Sequence, residues 1–289
     1  MNLIDGKATA AQILEQLAEY IRALPYKPGL CVILIGNNPA SQAYVNAKIK
    51  ACNKIGIYSE LIVLPENVSE SYLLNKIYQL NEDKNIHGIL VQLPLPKHIS
   101  PHKVIEAIDY RKDVDGFHPI NMGRLAKGLP ALVPCTPKGI QELLKFYNIQ
   151  TEGKHCVIIG RSNIVGMPMS VMMMQNMPFA NATVTVCHSK TKDIEVYTRQ
   201  ADILIVAVGS PKKITGDMLK EGCVVIDVGI NRIENENRYQ LVGDVDFESA
   251  AQKASYITPV PGGVGPMTIA MLMKNTVEAA ESLYKSGLV

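Results

Sequence analysis

Two side chains at helical spacing are the first candidates for chemistry. Tyr44 and Lys48 lie four residues apart in the stretch Pro39–Ile55, so a helix there presents both on one face. The same face continues through Ala51 and Ile55, which places the lysine on an otherwise apolar stripe. A partly desolvated lysine has its neutral amine accessible for proton transfer near pH 7. The competing interpretation is a lysine whose alkyl stem merely covers apolar surface.

Three further polar side chains lie near a strand end or in a loop. Gln92 is near the end of the predicted strand Ile86–Leu93. A buried amide there needs a partner such as Lys48 or a ligand, because an unpaired one costs roughly 1–3 kcal/mol, unless it faces water. The loop after the predicted helix Pro101–Ile108 carries Asp113 and Asp115, one residue apart. One of these carboxylates could accept paired hydrogen bonds from a heterocycle with amino and ring N–H donors, although a solvated turn is the simpler interpretation.

A glycine turn joins a predicted strand to a predicted helix. Gly160 and Gly166 flank the turn between strand His155–Ile159 and helix Val165–Met174. Such a turn brings backbone N–H groups and a helix N-terminus close to a pyrophosphate. The spacing is not the usual G-x-G-x-x-G, so the turn alone is equally compatible with a connection that holds no ligand.

The end of the next strand favours NADP over NAD. A fold that binds NAD usually has Asp or Glu there, to bond the ribose 2′-hydroxyl. This sequence instead reads Cys187-His188-Ser189-Lys190. Together with Arg161, which directly follows the first glycine, Ser189 and Lys190 suit a 2′-phosphate. Alternatively, the two cations are solvated surface charges.

Glycine-rich loops supply the remaining candidate binding groups. The segment Pro259–Thr268 contains three glycines and three prolines, which fix an unusual backbone path and permit close approach to a ligand. A structural hinge is the alternative. Three other turns follow apolar runs and are individually nonspecific: Gly209-Ser210-Pro211, Gly229-Ile230-Asn231 and Gly243-Asp244.

The elements that position these residues alternate between strand and helix, which indicates an α/β fold with parallel sheets covered by helices. The predicted strands are Gly29–Ile35, Glu60–Leu64, Ile86–Leu93, His155–Ile159, Thr183–Cys187, Ile203–Val208 and Val224–Val228. The predicted helices are Ala8–Leu24, Pro39–Ile55, Ser71–Leu80, Pro101–Ile108, Pro137–Tyr147, Val165–Met174, Asp193–Gln200 and Pro266–Tyr284.

We expect two α/β domains that flank a cleft, since such domains with short connections usually leave one. They cover residues 1–136 and 137–289, with the boundary in the Gly/Pro-rich stretch Gly116–Pro137. The second is expected to be a Rossmann-like doubly wound parallel sheet. The C-terminal helix 266–289 is expected to pack back on the first domain.

Composition excludes several classes of protein. The 289 residues carry a formal charge of +2, which does not favour nucleic acid or an anionic membrane as partner. No apolar run approaches the ~18 residues needed to cross a bilayer, and the start lacks the pattern of a signal peptide. The six cysteines contain no C-x-x-C pair, which favours a reducing compartment and no metal site.

Together these segments resemble the methylenetetrahydrofolate dehydrogenase/methenyltetrahydrofolate cyclohydrolase family, over essentially the whole chain. The motifs that carry the resemblance are YVNAK (44–48), GILVQLPLP (88–96), KDVDGFHPIN (112–121), PCTPKG (134–139), GRSNIVGMP (160–168) and TPVPGGVGPMT (258–268). One departure is a group of extra residues around Met177–Ala180, which we interpret as a loop insertion that leaves activity intact.

The resemblance implies roles for particular residues. Tyr44 and Lys48 would be the catalytic pair, Gln92 would help to keep that lysine uncharged, and Asp115 would hold the pterin ring. The residues implied to lie against the folate are Gly262, Gly265 and Pro266. The residues implied to hold NADP are Gly160, Arg161, Ser162, Ser189 and Ile230, the last through its backbone.

The resemblance also implies the reaction and its setting. The enzyme would oxidise 5,10-methylenetetrahydrofolate with NADP and then hydrolyse the methenyl product to 10-formyltetrahydrofolate. It would act as a cytoplasmic homodimer in one-carbon metabolism that serves purine, methionine and histidine biosynthesis. The alternatives are a dehydrogenase without hydrolase activity, an NADP enzyme like shikimate dehydrogenase, and a catalytically silent nucleotide-binding regulator.

Overall fold

The computed structural model describes residues 1–235 and 238–288 and divides the chain into two compact units. One, the three-stranded unit, comprises residues 11–135 and 269–289; the other, the six-stranded unit, comprises residues 1–10 and 136–268. The first ten residues, which the sequence prediction includes in the first domain, group with the six-stranded unit in this division. Asn2–Leu3 forms strand β1, which pairs with Tyr256–Ile257 of the six-stranded unit.

The three-stranded unit contains the strands β2 (Gly29–Ile35), β3 (Tyr58–Leu64) and β4 (Gly88–Val91). They form a parallel sheet in the order β3-β2-β4. Its helices are α2 (Pro39–Ile55), α3 (Glu70–Glu82), α4 (Pro101–Ala107) and α5 (Pro119–Ala126). Every residue of β2 is buried, because the central strand of a parallel sheet is covered on both faces.

The six-stranded unit contains a parallel sheet in the order β1-β11-β8-β7-β5-β6 and a separate antiparallel hairpin of β9 and β10. Its remaining strands are β5 (His155–Ile159), β6 (Thr183–Cys187), β7 (Ile203–Val206), β8 (Val224–Asp227), β9 (Asn231–Asn235), β10 (Arg238–Val242) and β11 (Tyr256–Ile257). Its helices are α6 (Cys135–Phe146), α7 (Gly166–Met174), α8 (Ile194–Thr198) and α9 (Phe247–Ala250), with a 3-10 turn at Gly216–Met218.

Among the described residues, three helices contain residues of both units. These are α1 (Gly6–Arg22), α6, whose first residue Cys135 belongs to the three-stranded unit, and α10 (Val264–Lys285). The divisions fall after Ala10, after Cys135 and after Thr268. The predicted α/β class with parallel sheets is confirmed. The stretch Gly116–Pro137, in which we predict the boundary, contains helix α5, whose N-cap residue His118 accepts the Ile120 N–H with its side chain.

The chain direction within the six-stranded sheet creates a reversal. From β5 the chain moves to β6 on one side and then returns to β7 on the other side. Ligands of doubly wound sheets bind outside the carboxyl ends of the strands at such a point. The fold therefore predicts a ligand site at the turn after β5.

None of the helices in the part of the chain that the structure describes has the length and apolar character of a membrane span.

Candidate active site

Lys48 and Gln92 form a direct contact in the three-stranded unit. The Lys48 Nζ donates to the Gln92 Oε1 at 2.9 Å, and the Gln92 Nε2 donates to the Leu93 carbonyl at 2.7 Å. The Gln92 backbone N–H donates to the Ile33 carbonyl at 2.9 Å. Because its amide nitrogen is engaged by Leu93, Gln92 must present its oxygen to the lysine.

Helix α2 sets the position of Lys48. The helix begins after Asn38, whose side chain accepts the N–H groups of Ala40 and Ser41, and it ends at Gly56 in the left-handed conformation. Along the stripe that we predicted to be apolar, Ala51 is buried and Lys48 is half-buried. Lys48 thus lies at the rim of the packed face.

Tyr44 lies one helical turn before Lys48 and is 47% exposed. The predicted stripe therefore passes from solvent at Tyr44 to the packed interior beyond Lys48. A phenol hydroxyl in this position is open to a molecule that reaches the lysine from solvent.

Asp115 completes this group. Its carboxylate is half-buried, and burial raises its pKa from 3.8 to about 6; the positive charge of Lys48 acts in the opposite direction, and the charge of Asp113 adds to the increase. The structure therefore brings together three of the predicted residues, Lys48, Gln92 and Asp115. Near neutral pH the acid is mostly ionised.

The loop around Asp115 is anchored on both sides. Lys112 is buried and its Nζ donates to the carbonyls of Leu80 and Asp83 at 3.1 and 2.8 Å, at the C-terminal end of α3. The buried Asp113 carboxylate accepts the His118 N–H at 2.8 Å, and burial raises its pKa. The interpretation of this segment as a solvated turn is wrong, because the buried side chains of Lys112 and Asp113 hold the loop to the end of α3 and to the start of α5.

Asn275 is a positioning residue that sequence analysis did not identify. This fully buried residue of α10 donates from its Nδ2 to the carbonyls of Val114 and Val133 at 2.8 and 2.9 Å. Since Val114 directly precedes Asp115, the amide fixes the backbone of the acidic loop. The available signal was a lone amide within an apolar helical face.

The turn after β5 has the tight geometry of a nucleotide-binding turn. Gly160 adopts φ +119°, and a side chain there would overlap the Ala207 carbonyl oxygen. A side chain at Gly166 would overlap the Gly160 carbonyl oxygen in turn. Both glycines are therefore required by close backbone packing. Arg161 and Ser162 lie exposed between them, and the Ser162 Oγ accepts the Val165 N–H at 3.2 Å.

The end of β6 lies beside this turn. The Gly160 N–H donates to the Cys187 carbonyl at 2.8 Å, and the two strands pair in register up to Ile159 and Cys187. Ser189 and Lys190 follow and are both exposed. A ligand phosphate at this sheet edge would meet a serine and cations rather than a carboxylate, as a 2′-phosphorylated nucleotide requires.

The predicted glycine-rich loop and the Ile230 turn are in contact. The Ile230 side chain is 44% exposed, and its Cδ1 would lie 3.4 Å from a Cβ at Gly265. Gly262 adopts φ +110°, and its carbonyl accepts the Lys7 N–H at 2.9 Å. Pro266 lies in the first turn of α10. Gly265 and Pro266 are thus part of the helix start rather than of the preceding loop.

No cluster of three or more His, Cys, Asp or Glu side chains that could hold a metal ion occurs within residues 1–235 and 238–288. The six cysteines are buried free thiols. Burial raises the pKa of Cys31, Cys52, Cys156 and Cys223 to about 12, so these four are thiols at neutral pH.

The doubly wound sheet with its glycine turn and the lysine–amide–carboxylate group are the features expected of an α/β enzyme with a nucleotide-binding domain. Comparison with known families agrees: "Tetrahydrofolate dehydrogenase/cyclohydrolase, catalytic domain" matches residues 4–115, and "Tetrahydrofolate dehydrogenase/cyclohydrolase, NAD(P)-binding domain" matches residues 134–284. The chain belongs to the tetrahydrofolate dehydrogenase/cyclohydrolase family, and it is a bifunctional methylenetetrahydrofolate dehydrogenase and methenyltetrahydrofolate cyclohydrolase.

Individual relatives cover nearly the whole chain. A curated "Bifunctional protein FolD" from Chloroherpeton thalassium is 58% identical over 97% of this chain and 99% of its own length. The crystal structure of FolD from Campylobacter jejuni is 55% identical, with a TM-score of 0.93 over 98% of this chain and 99% of that one. The Trypanosoma brucei FolD structure, complexed with NADP and an inhibitor, is 39% identical, with a TM-score of 0.91 over 98% of each chain.

Proposed function

We infer that Lys48, Tyr44, Gln92 and Asp115 are the residues on which both reactions depend. The observation that carries this assignment is the hydrogen bond from the Lys48 Nζ to the Gln92 Oε1 at 2.9 Å, close enough to Asp115 for the lysine charge to affect its pKa. The folate substrate carries a pterin ring with amino and ring N–H donors. The Asp115 carboxylate accepts these donors and orients the one-carbon unit.

Hydrolysis of the methenyl cation needs a group that handles protons. A water oxygen bonds to the methenyl carbon, the bond from that carbon to N5 breaks, and one proton is released overall. Lys48 takes up and returns the proton that moves between the water and N5. Gln92 holds the lysine amine in place through its carbonyl oxygen, and the exposed Tyr44 hydroxyl assists at the solvent side.

NADP is the proposed cofactor, held by Gly160, Arg161, Ser162, Ser189 and the backbone of Ile230. The fit rests on the close glycine turn, the exposed Arg161 and Ser189, and a β6 end without a carboxylate. The NADP found in the Trypanosoma brucei relative supports the same choice. When bound, the cofactor accepts the hydride from the methylene group. The Gly262, Gly265 and Pro266 segment is proposed to lie against the folate.

The remaining properties are proposed from the resemblance alone. The enzyme acts as a homodimer in the cytoplasm, without a nucleic-acid or membrane partner. Its product, 10-formyltetrahydrofolate, serves purine, methionine and histidine biosynthesis. The domain roles are folate binding by the three-stranded unit and NADP binding by the six-stranded unit.

A Lys48→Met enzyme tests the proton-handling role. We expect hydrolysis of methenyltetrahydrofolate to fall by at least 10²-fold, within the usual contribution of one proton-transfer group, while folate still binds. Lys50→Met is the matched control, because Lys50 is an exposed lysine of the same helix. Hydrolysis at the wild-type rate in Lys48→Met would refute the assignment.

A spectrophotometric assay tests the two activities and the cofactor. Methylenetetrahydrofolate is supplied with NADP or with NAD, and both cofactor reduction and methenyl absorbance are followed. NADP-dependent reduction with little methenyl accumulation is the expected result. Persistent methenyl would indicate a dehydrogenase without hydrolase activity, and a preference for NAD would contradict the proposed phosphate contacts.

A further inference from the structure

Two buried aspartates lie beneath the turns at one end of the six-stranded sheet. Asp227 ends strand β8, and Asp244 follows strand β10. The exposed fractions of these residues are 4% and 0%. Two such carboxylates are expected to destabilise the fold, because burying a carboxylate without compensating donors is strongly unfavourable and like charges repel.

Asp244 is compensated by an unusual set of donors. Its Oδ2 accepts the N–H groups of Val208 and Gly209 at 2.7 and 2.9 Å. Its Oδ1 accepts the N–H of Ser210 at 2.8 Å and the Nδ2 of Asn231 at 2.8 Å. Three consecutive backbone N–H groups of the turn after β7 are therefore wrapped around one carboxylate, which also holds the residue after Ile230.

Asp227 forms the layer below. Its Oδ1 accepts the N–H groups of Gly229 and Asp244 at 3.0 Å each, and its Oδ2 accepts the Val245 N–H at 2.9 Å. Burial raises the pKa of Asp227 to about 6, although these three donors oppose the increase. Side chains at Gly229 or Gly243 would overlap the carboxylate of Asp244 or Asp227, respectively.

The two carboxylates thus hold Ile230 from both sides. Gly229, on one side, donates to Asp227, and Asn231, on the other, donates to Asp244. The Ile230 side chain itself remains 44% exposed at the sheet edge. A short exposed segment fixed at both neighbours can present its backbone groups to a ligand at a constant position.

The strand order indicates which part of a dinucleotide lies there. In doubly wound sheets the pyrophosphate lies at the first glycine turn, and the adenosine ribose lies at the end of the next strand. Here these positions are the ends of β5 and β6, and β7 and β8 lie on the opposite side of β5. The nicotinamide half must then extend over the turns that follow β7 and β8.

We propose that Asp244, supported by Asp227, is the positioning residue that holds the Val208–Ser210 turn and the Ile230 backbone in place for the nicotinamide half of the cofactor. This inference rests on the proposed NADP site. Asp244 acts through the turns, because the residue is fully buried and both of its carboxylate oxygens are engaged by protein donors.

The bifunctional enzyme allows a direct test, because the dehydrogenase needs NADP and the cyclohydrolase, assayed on methenyltetrahydrofolate, needs no cofactor. In Asp244→Asn the amide replaces one acceptor oxygen by an NH₂ group that faces N–H donors. We expect the KM for NADP to rise at least tenfold and dehydrogenase kcat to fall, with cyclohydrolase kcat within twofold of wild type. Asp246→Asn is the matched control, since that carboxylate pairs with Lys212 and Ser249 instead.

A milder variant keeps the test decisive if Asp244→Asn does not fold. Asn231→Ala removes only the side-chain link to Asp244 and should raise the KM for NADP severalfold with cyclohydrolase unchanged. The proposal would be overturned if a folded Asp244→Asn enzyme kept the wild-type KM for NADP and the wild-type dehydrogenase kcat. It would also be overturned if Asn231→Ala lost both activities to the same extent. Arg161→Gln is assayed in parallel: an altered KM there with none in Asp244→Asn refutes only this inference, whereas no change in Arg161→Gln refutes the proposed phosphate site itself.

Discussion

Replacing Asp115, the proposed pterin-binding acid, should make the protein more stable at alkaline pH while abolishing its activity. Burial raises the pKa of Asp115 from 3.8 to about 6 in the folded protein. The folded state therefore binds the Asp115 proton more tightly than the unfolded state does. By linkage, the stability associated with this group is fully present below about pH 4 and is lost as the pH rises from about 4 to about 6.

The size of the effect follows from this difference in pKa. A pKa raised from 3.8 to about 6 is a change of about two units. At about 1.4 kcal/mol per unit, ionised Asp115 costs the fold at most ~3 kcal/mol at pH 8. The carboxylate is only half-buried, so solvent screening reduces this ceiling, and we expect ~1–2 kcal/mol. Asp115→Asn removes the charge and with it this cost.

Urea unfolding at pH 4, 6 and 8 measures the difference. Asp115→Asn should nearly match the wild type at pH 4 and exceed it by ~1–2 kcal/mol at pH 8, with most of that gain already present at pH 6. In the same preparations kcat/KM for folate substrates should fall by at least 10²-fold. Glu82→Gln, which neutralises an exposed carboxylate of the same unit, is the control. A less stable Asp115→Asn at pH 8, or a gain that does not vary with pH, would refute this explanation.

Three other predictions concern the same unit. In the wild type, kcat/KM should fall about tenfold per pH unit below about 6, because Asp115 must be ionised to accept the pterin donors, and a flat steady-state profile down to pH 5 would contradict this. Gly116→Ala should lower the free energy of unfolding, measured in urea, by ~2 kcal/mol or more, because φ is +76° and the new Cβ would lie 2.5 Å from the Pro134 nitrogen, whereas Gly123→Ala, with open space around it, should be neutral or stabilising in the same measurement. Burial lowers the pKa of His87 below 6.5, so its contribution to stability is present above about pH 6.5 and lost as the pH falls, and a His87→Gln protein should show a weaker acid dependence of Tm.

Elements whose ends are marked by proline or glycine could be predicted from the local sequence. Helix Pro39–Ile55 matches the structure at both ends, because proline suits the first helical turn and Gly56 supplies the left-handed cap. Strand Gly29–Ile35 also matches at both ends, as a short apolar run bounded by glycine. The turn at Gly160 was identifiable because a backbone that passes this close to a neighbouring strand excludes every side chain.

Long-range pairing explains what sequence analysis missed. The Asn2–Leu3 strand is too short for any periodic signal, and only its pairing with Tyr256–Ile257 assigns the first residues to the six-stranded unit. Asn275 lies 142 residues from its acceptor Val133. No local sequence pattern predicts a contact between residues so far apart in the chain.

The two acids of the 112–116 loop differ in the groups that stabilise their ionised carboxylates. Both carboxylates have a raised pKa because they are buried. For Asp113 this increase is opposed by hydrogen bonds from Asn121 and from the backbone of His118 and Phe117, so its lone pairs are used within the protein. For Asp115 the opposing influence is the charge of Lys48. A carboxylate that burial disfavours, and that a nearby cation rather than local donors stabilises, gains most from a ligand that supplies N–H donors. The same physical cost that predicts a more stable Asp115→Asn protein therefore favours the binding of a pterin.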